Sequence, residues 1–265
     1  MVATLGPLET QLLAYAQSRD RQTVGTGEFV RALGWTVDQE RRVLSRLAGK
    51  GLIARVRPGL YLVPPRLPPG GRWSPGEYLA LDALMTDLGG RYQISGPNAF
   101  YRYGWTDQVP NRLYVYNNRA SGDRQIGAVA LTLIEVADER LGGVEKVRTP
   151  EGIEVSYASR ARTLVDAVHD WSRFDTLPKA FDWIRREAEK DDAVVADLTR
   201  MTADYGNQGT IRRIGALLER IGVHDALLRR LKTQLRPSSS LIPWVPNRPK
   251  RGKTNRRWGV VFNDG

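Results

Sequence analysis

The sequence predicts an α+β protein in two parts, a small N-terminal helical module closed by a hairpin and a larger mixed α+β domain. Three observations carry that prediction. Residues 26–63 hold two short amphipathic segments followed by an alternating hairpin around Pro58-Gly59. A Pro- and Gly-rich run comes directly after it, and half of residues 64–71 are prolines, which lack a backbone donor and sustain neither helix nor ladder. Beyond the run, strand candidates dominate to residue 157 and helical periodicity takes over at Ser159, the order expected of an α+β domain. The expected boundaries are 1–66 for the first module, 64–73 for a semi-rigid linker and 74–265 for the second domain, with no internal repeat.

In the first module, residues 7–18 form a helix with Leu8, Leu12, Leu13 and Tyr15 as apolar contacts. Residues 26–33 make a second, shorter helix that ends at Gly34. Thr36 caps the next one, and Gln39, three residues on, closes a capping box. On a helical wheel Val37, Leu44, Leu47 and Ala48 face a core, while Gln39, Arg42, Arg46 and Lys50 face away, with Ser45 at the edge. In the hairpin Ala54 and Val56 share one face, Arg55 and Arg57 the other. This pattern is that of a winged helix-turn-helix. From Arg41 to Arg72 there are eight Arg or Lys and no Asp or Glu.

A helix lying in the major groove of DNA, followed by a basic wing, needs that distribution of charge. Its cations and amide face DNA, and its apolar residues face the domain. The simpler alternative is a solvated helix face, and small winged domains also mediate protein contacts. The purity of sign favours DNA, because solvated faces ordinarily mix acids with bases. The expected DNA-binding set is Gln39, Arg41, Arg42, Ser45, Arg46, Lys50, Arg55 and Arg57. Within it, Gln39, Arg42 and Arg46 are placed for base readout. Arg55 and Arg57 are placed for phosphates or the adjacent minor groove.

Whole-chain composition agrees. The 265 residues carry 40 Lys+Arg against 29 Asp+Glu, a net charge of +11 that favours polyanionic partners. There is no cysteine, which excludes disulfides, thiolate-bound zinc and thiol catalysis. The N-terminus lacks a signal-peptide pattern, and the longest apolar runs fall well short of the roughly 20 residues of a membrane span. A cytoplasmic protein with no membrane partner is expected.

The second domain opens with Ser74-Pro75-Gly76-Glu77, read as an N-cap followed by a helix to Leu88 and a Gly89-Gly90 stop. A strand at 92–95, a short helix at 97–103 and strands at 112–116, 128–136, 144–148 and 153–157 come next. Helices follow at 159–169, 177–190, 193–205, 209–221 and 224–235. The Pro- and Arg-rich tail from Pro237 holds one more strand candidate at 258–262. Its cations suit an extended arm tracking phosphates, while Trp244 and Trp258 point to packing.

Motifs that carry catalysis are missing. His169 follows Asp166 by three residues, a spacing that suits an acid–base pair, but no third partner is evident and a structural role is the simpler reading. No Asp or Glu stands two residues before any Lys, so a nuclease-type carboxylate-x-lysine element is absent. Gly25-x-Gly27 lacks the rest of a phosphate-binding loop, and Ser121-Gly122-Asp123 lacks the second carboxylate of two-metal nucleotidyl transfer. The sequence therefore reads as a binding protein with no catalytic residue, cofactor or metal. The alternative is a nucleic-acid-processing enzyme targeted by the winged helix, with an unrecognised site in residues 74–235.

Five stretches, in order, carry a family resemblance. They are residues 51–61 (Gly-Leu-Ile-Ala-Arg-Val-Arg-Pro-Gly-Leu-Tyr) and 95–105 (Ser-Gly-Pro-Asn-Ala-Phe-Tyr-Arg-Tyr-Gly-Trp), then 159–166 (Ser-Arg-Ala-Arg-Thr-Leu-Val-Asp). Residues 206–219 (Gly-Asn-Gln-Gly-Thr-Ile-Arg-Arg-Ile-Gly-Ala-Leu-Leu-Glu) and 255–259 (Asn-Arg-Arg-Trp-Gly) complete the set. With them the chain resembles, over nearly its full length, the AbiEi family of antitoxins and transcriptional repressors from AbiE-type, type IV toxin–antitoxin systems in bacterial phage defence. The resemblance implies an N-terminal winged helix that represses its own operon through inverted repeats in double-stranded operator DNA. It also implies a C-terminal domain that counters a nucleotidyltransferase-type toxin.

One further surface is expected from the residues themselves. Arg212, Arg213, Arg229 and Arg230, with Arg200 and Arg220, would form a second basic surface beside inward-facing Ile211, Ile214, Leu217, Leu218 and Ile221. It would serve as a second DNA contact or as a dock for an acidic partner. A solvated helix face balanced by Glu219 and Asp225 is the alternative.

Overall fold

The computed structural model describes residues 5–67 and 71–264. Residues 68–70 of the expected linker lie outside the described residues. The fold is mixed α+β, and the chain divides into two compact units. One comprises residues 1–92, 111–135 and 148–155; the other comprises 93–110, 136–147 and 156–265.

The first unit begins with α1 (Pro7–Ser18), β1 (Thr23–Gly25), α2 (Glu28–Leu33), α3 (Val37–Gly49) and a hairpin of β2 (Ala54–Arg57) and β3 (Leu60–Leu62). Its three strands form an antiparallel sheet in the order β1-β3-β2. Leu12, Phe29, Leu44, Leu47, Leu52 and Val63 belong to a core supplied by this segment alone. Phe29 is its centre, edge-on to Tyr15 and stacked on Trp35, each with ring centroids 5.4 Å apart. Strand β1 carries too few residues to show alternation in the sequence. It ends just before the expected second helix, which starts at Glu28, two residues later than expected, after Gly27 turns through φ 87°.

The capping box of α3 forms as the spacing predicts: Gln39 N–H donates to Thr36 Oγ1 at 3.2 Å and Thr36 N–H to Gln39 Oε1 at 2.8 Å. The inward stripe differs from the expected one. It is Glu40, Val43, Leu44 and Leu47, with Ala48 half-buried. Val37 is 64% exposed, because it sits at the first helical position, one turn ahead of the packed stripe. The hairpin alternates as predicted, Ala54 and Val56 buried, Arg55 and Arg57 exposed.

The rest of this unit is α4 (Glu77–Leu88) and the strands β5 (Leu113–Asn117), β6 (Gly122–Ile126) and β7 (Val129–Glu135). β7 pairs parallel to β5 and antiparallel to β6. Strand β6 was not expected, since four of its five residues are exposed and only Ile126 is apolar. The N-cap of α4 is Gly76, not Ser74. Ser74 Oγ instead accepts a 2.8 Å bond from Ala128 N–H.

In the second unit Ile94, at the end of β4 (Tyr92–Ile94), pairs in parallel with Tyr157 of β9 (Glu154–Ala158). Strand β8 spans Val144–Arg148 and the short helix α5 spans Pro97–Arg102. The helical half comprises α6 (Arg160–His169), α7 (Trp171–Phe174), α8 (Lys179–Ala188), α9 (Asp192–Tyr205), α10 (Gln208–Arg220) and α11 (Asp225–Thr233). Its core joins Leu164, Phe181, Ile184, Leu198, Ile214 and Leu217 to two tail residues, Trp244 and Trp258. The tail therefore folds, contrary to the arm reading. Its strands β10 (Ile242–Pro243), β11 (Lys253–Asn255) and β12 (Val260–Phe262) form a sheet in the order β10-β12-β11. Trp244 stacks on Phe181 with centroids 3.8 Å apart. Among the described residues, no helix is long and apolar enough to cross a membrane.

Candidate nucleic-acid interface

Two buried carboxylates that the sequence analysis did not single out hold α3 in place. Glu40 is fully buried and accepts the backbone N–H groups of Gly27 at 2.6 Å and Phe29 at 2.9 Å. Those groups are orphan donors at the start of α2, so one side chain caps α2 and fixes its angle to α3. Glu9 of α1 is buried against the other end of α3. Both its oxygens bind Lys50 Nζ, at 3.0 and 2.9 Å, and Oε1 lies 3.7 Å from Arg46 Nε. Burial opposes its charge, yet the Gly6 N–H and the Lys50 ammonium hold its carboxyl below the usual range.

On the outward face of α3, Arg41, Arg42, Ser45 and Arg46 are all exposed. With Asp38 they line a shallow depression. Arg42 Nε bonds the Asp38 carbonyl at 3.2 Å, which bends the side chain back along its own helix and leaves the rest of the guanidinium outward. Gln39 spends its side-chain oxygen on the capping box, so its amide nitrogen is the group left for an outside partner. Lys50 corrects the expectation. Its ammonium turns inward to Glu9 and away from the outer face.

The wing is corrected in the same way. Arg55 is exposed, and among the described residues it has no acidic partner. Arg57 makes a two-bond pair with Asp87 of α4, Nη2 to Oδ1 at 2.6 Å and Nε to Oδ2. That fork holds Asp87 below the usual carboxylate range and raises Arg57 further. Of the two expected wing contacts, Arg55 alone is free of an acid.

The second basic surface does not form from the residues expected. Arg212 and Arg213 are buried, 9% and 8% exposed, and bind carbonyl oxygens of the folded tail. Arg212 Nε donates to Trp258 O at 2.7 Å and Nη2 to Gly259 O at 2.9 Å and to Ser240 O. Arg213 donates to Pro243 O and Trp244 O at 3.2–3.3 Å. Their side chains anchor the tail, which the solvated-face reading of α10 did not anticipate. Arg229 is exposed but paired with Asp225 at 2.9 Å, while Arg230 is exposed.

His169 does not pair with Asp166 as acid and base. The fully buried Asp166 carboxylate takes Arg162 Nε and Arg140 Nη2, each at 3.0 Å, and the Ser95 hydroxyl at 3.1 Å. Burial and then the Arg140 charge push the imidazole down, which keeps it neutral near pH 7. This charge network was legible only as the i, i+4 spacing of Arg162 and Asp166 within residues 159–166. Among the described residues, no group of three or more His, Asp or Glu is placed to hold a metal ion.

These features define a class: a mixed α+β protein that carries a helix-turn-helix with a hairpin wing at its N-terminus. No known family profile matches the chain, and no curated protein does. Among solved structures, its fold is similar to that of the RV2827C protein of Mycobacterium tuberculosis. The match has a TM-score of 0.59 at 15% identity and covers 97% of this chain and 92% of that chain. At that identity the likeness is one of fold.

Proposed function

We propose that this chain is a DNA-binding transcriptional repressor that acts without catalysis, cofactor or metal in the cytoplasm. Helix α3 enters the major groove of double-stranded operator DNA. One observation carries the reading: the outer face of α3 exposes Arg41, Arg42, Ser45 and Arg46 while Glu40 and Glu9 fix the helix from behind. A recognition helix needs both features, since donors read base edges only from a rigid scaffold. Arg55 of the wing adds a phosphate contact. Arg57 adds another wherever its pair with Asp87 opens.

The resemblance to AbiEi supports two extensions. The operator is an inverted repeat in the protein's own promoter, and the chain is the antitoxin to a nucleotidyltransferase-type toxin in phage defence. The neighbouring reading frame tests the second extension directly, and growth rescue by the full chain in cells expressing that neighbour completes it. For the first, Arg42→Ala and Arg46→Ala are titrated on operator and on scrambled duplex. Each should cost about 1–3 kcal/mol of operator preference if the contact is bidentate to a base. Equal losses on both duplexes would reduce these residues to phosphate contacts.

A further inference from the structure

A second acid-free stretch lies far from α3 in sequence. From Ala226 to Asn263 there are ten Arg or Lys and no Asp or Glu. The fold gathers part of it around an open cleft between α11, the loop after it and the turn before β12. Gln208, Lys232, Arg236, Ser238, Ser240 and Arg256 line its walls, together with Arg212. Acids of neighbouring elements are already taken. Arg257 holds Glu219 at 3.1 Å and Asp225 at 2.8 Å, Arg229 also holds Asp225, and Arg220 holds Asp264 at 3.0 Å. Arg236 and Arg256 are exposed and have no acidic partner among the described residues.

Positive charge is also stored beneath the wall. Arg212 and Arg213 are bound by carbonyl oxygens, with no carboxylate among their partners. Burial and then the neighbouring Arg212 charge push Arg213 down to about 10, which still leaves it cationic at neutral pH. The loop that carries Arg236 is fixed, because Gln208 accepts from Arg236 N–H and donates to Gln234 O, both at 3.0 Å.

We propose that this cleft takes the phosphates of a nucleic-acid duplex, as a backbone contact without base readout. Exposed guanidinium and hydroxyl donors on a fixed loop are the chemistry of phosphate binding. Base stacking is not available here, since Trp258, the aromatic residue in the wall, is 1% exposed. A single-strand site would need such a ring. The contact is independent of α3.

The test uses the full chain and a labelled random-sequence duplex titrated over a range of salt. Arg236→Ala with Arg256→Ala should lower the salt slope by about 1.8, two phosphate contacts at about 0.9 each. The same deficit should appear in an Arg42→Ala, Arg46→Ala background, which separates this site from the proposed groove contact. Arg236→Lys with Arg256→Lys should keep most of the slope, and thermal melting should match the parent, since both side chains are exposed. An unchanged slope in both backgrounds overturns the proposal. So does a single strand that binds more tightly than the duplex. Polyglutamate competing as well as duplex of equal charge would assign the cleft to an acidic protein and overturn it too.

Discussion

Glu9 shows how a single carboxylate sets the electrostatics at one end of α3. Its side chain is 2% exposed, and it accepts Gly6 N–H at 2.9 Å as well as the Lys50 ammonium. Because its folded-state pKa lies below the ordinary value of 4.5, the stability it contributes is present above that value. That stability is lost as pH falls through the lower, folded-state value. Glu9→Gln should therefore cost about 1–3 kcal/mol at neutral pH, the range for a buried charged hydrogen bond. The deficit should shrink on acidification below the carboxylate range. Melting temperatures of both proteins from neutral to acid pH give the answer. A gap that stays constant through the acid limb would mean that Glu9 acts by shape and not by charge.

At the scale of elements, α10 shows why a helix tolerates its least favourable common residue. Gly215 sits in mid-helix, where glycine costs about 1 kcal/mol relative to alanine. A Cβ there would stand 2.3 Å from the Trp258 ring, so the glycine makes room for the side chain that seats the tail. Gly215→Ala should destabilise by about 1–3 kcal/mol despite its better helix propensity, the usual cost of overpacking. A stabilised variant in denaturant titrations would show that the ring moves freely. The same element marks the limit of what the sequence reveals. Apolar periodicity located α10, α3 and the hairpin, and the Thr36–Gln39 box located the start of α3. It missed β1, too short to alternate, and β6, exposed on nearly every residue. It also misassigned Arg212 and Arg213, because the carbonyls that bind them belong to a tail some 30 or more residues away. Sign purity between Arg41 and Arg72 did not carry into space either. Glu9 and Asp87, both outside that window, pair with Lys50 and Arg57, and Glu9 also reaches Arg46, leaving Arg41, Arg42 and Arg55 as the exposed cations of α3 and the wing without an acidic partner among the described residues.

At the scale of the molecule, the Pro-rich run after the hairpin is less of a boundary than its composition implies. Residues 5–67 share a core to which, among the described residues, no later strand or helix belongs, which favours independent folding. Contacts nonetheless reach over the run within the first unit. Arg57 binds Asp87, Trp73 N–H donates to Gly51 O at 2.7 Å, and β2 lies against α4 and β6. A fragment of residues 1–66 should therefore fold cooperatively but melt below the full chain. It should also release Arg57, since its partner is removed. If the wing touches phosphate, the fragment's salt slope on duplex DNA should then include an Arg57 contact of about 0.9 that Arg57→Ala removes. In the full chain the same substitution should change the slope less, because Asp87 already holds the guanidinium. Circular dichroism melts and paired salt titrations measure both effects. A fragment without a cooperative transition would show that the hairpin depends on α4 for its structure. Equal slope losses in fragment and full chain would show that DNA already draws Arg57 away from Asp87.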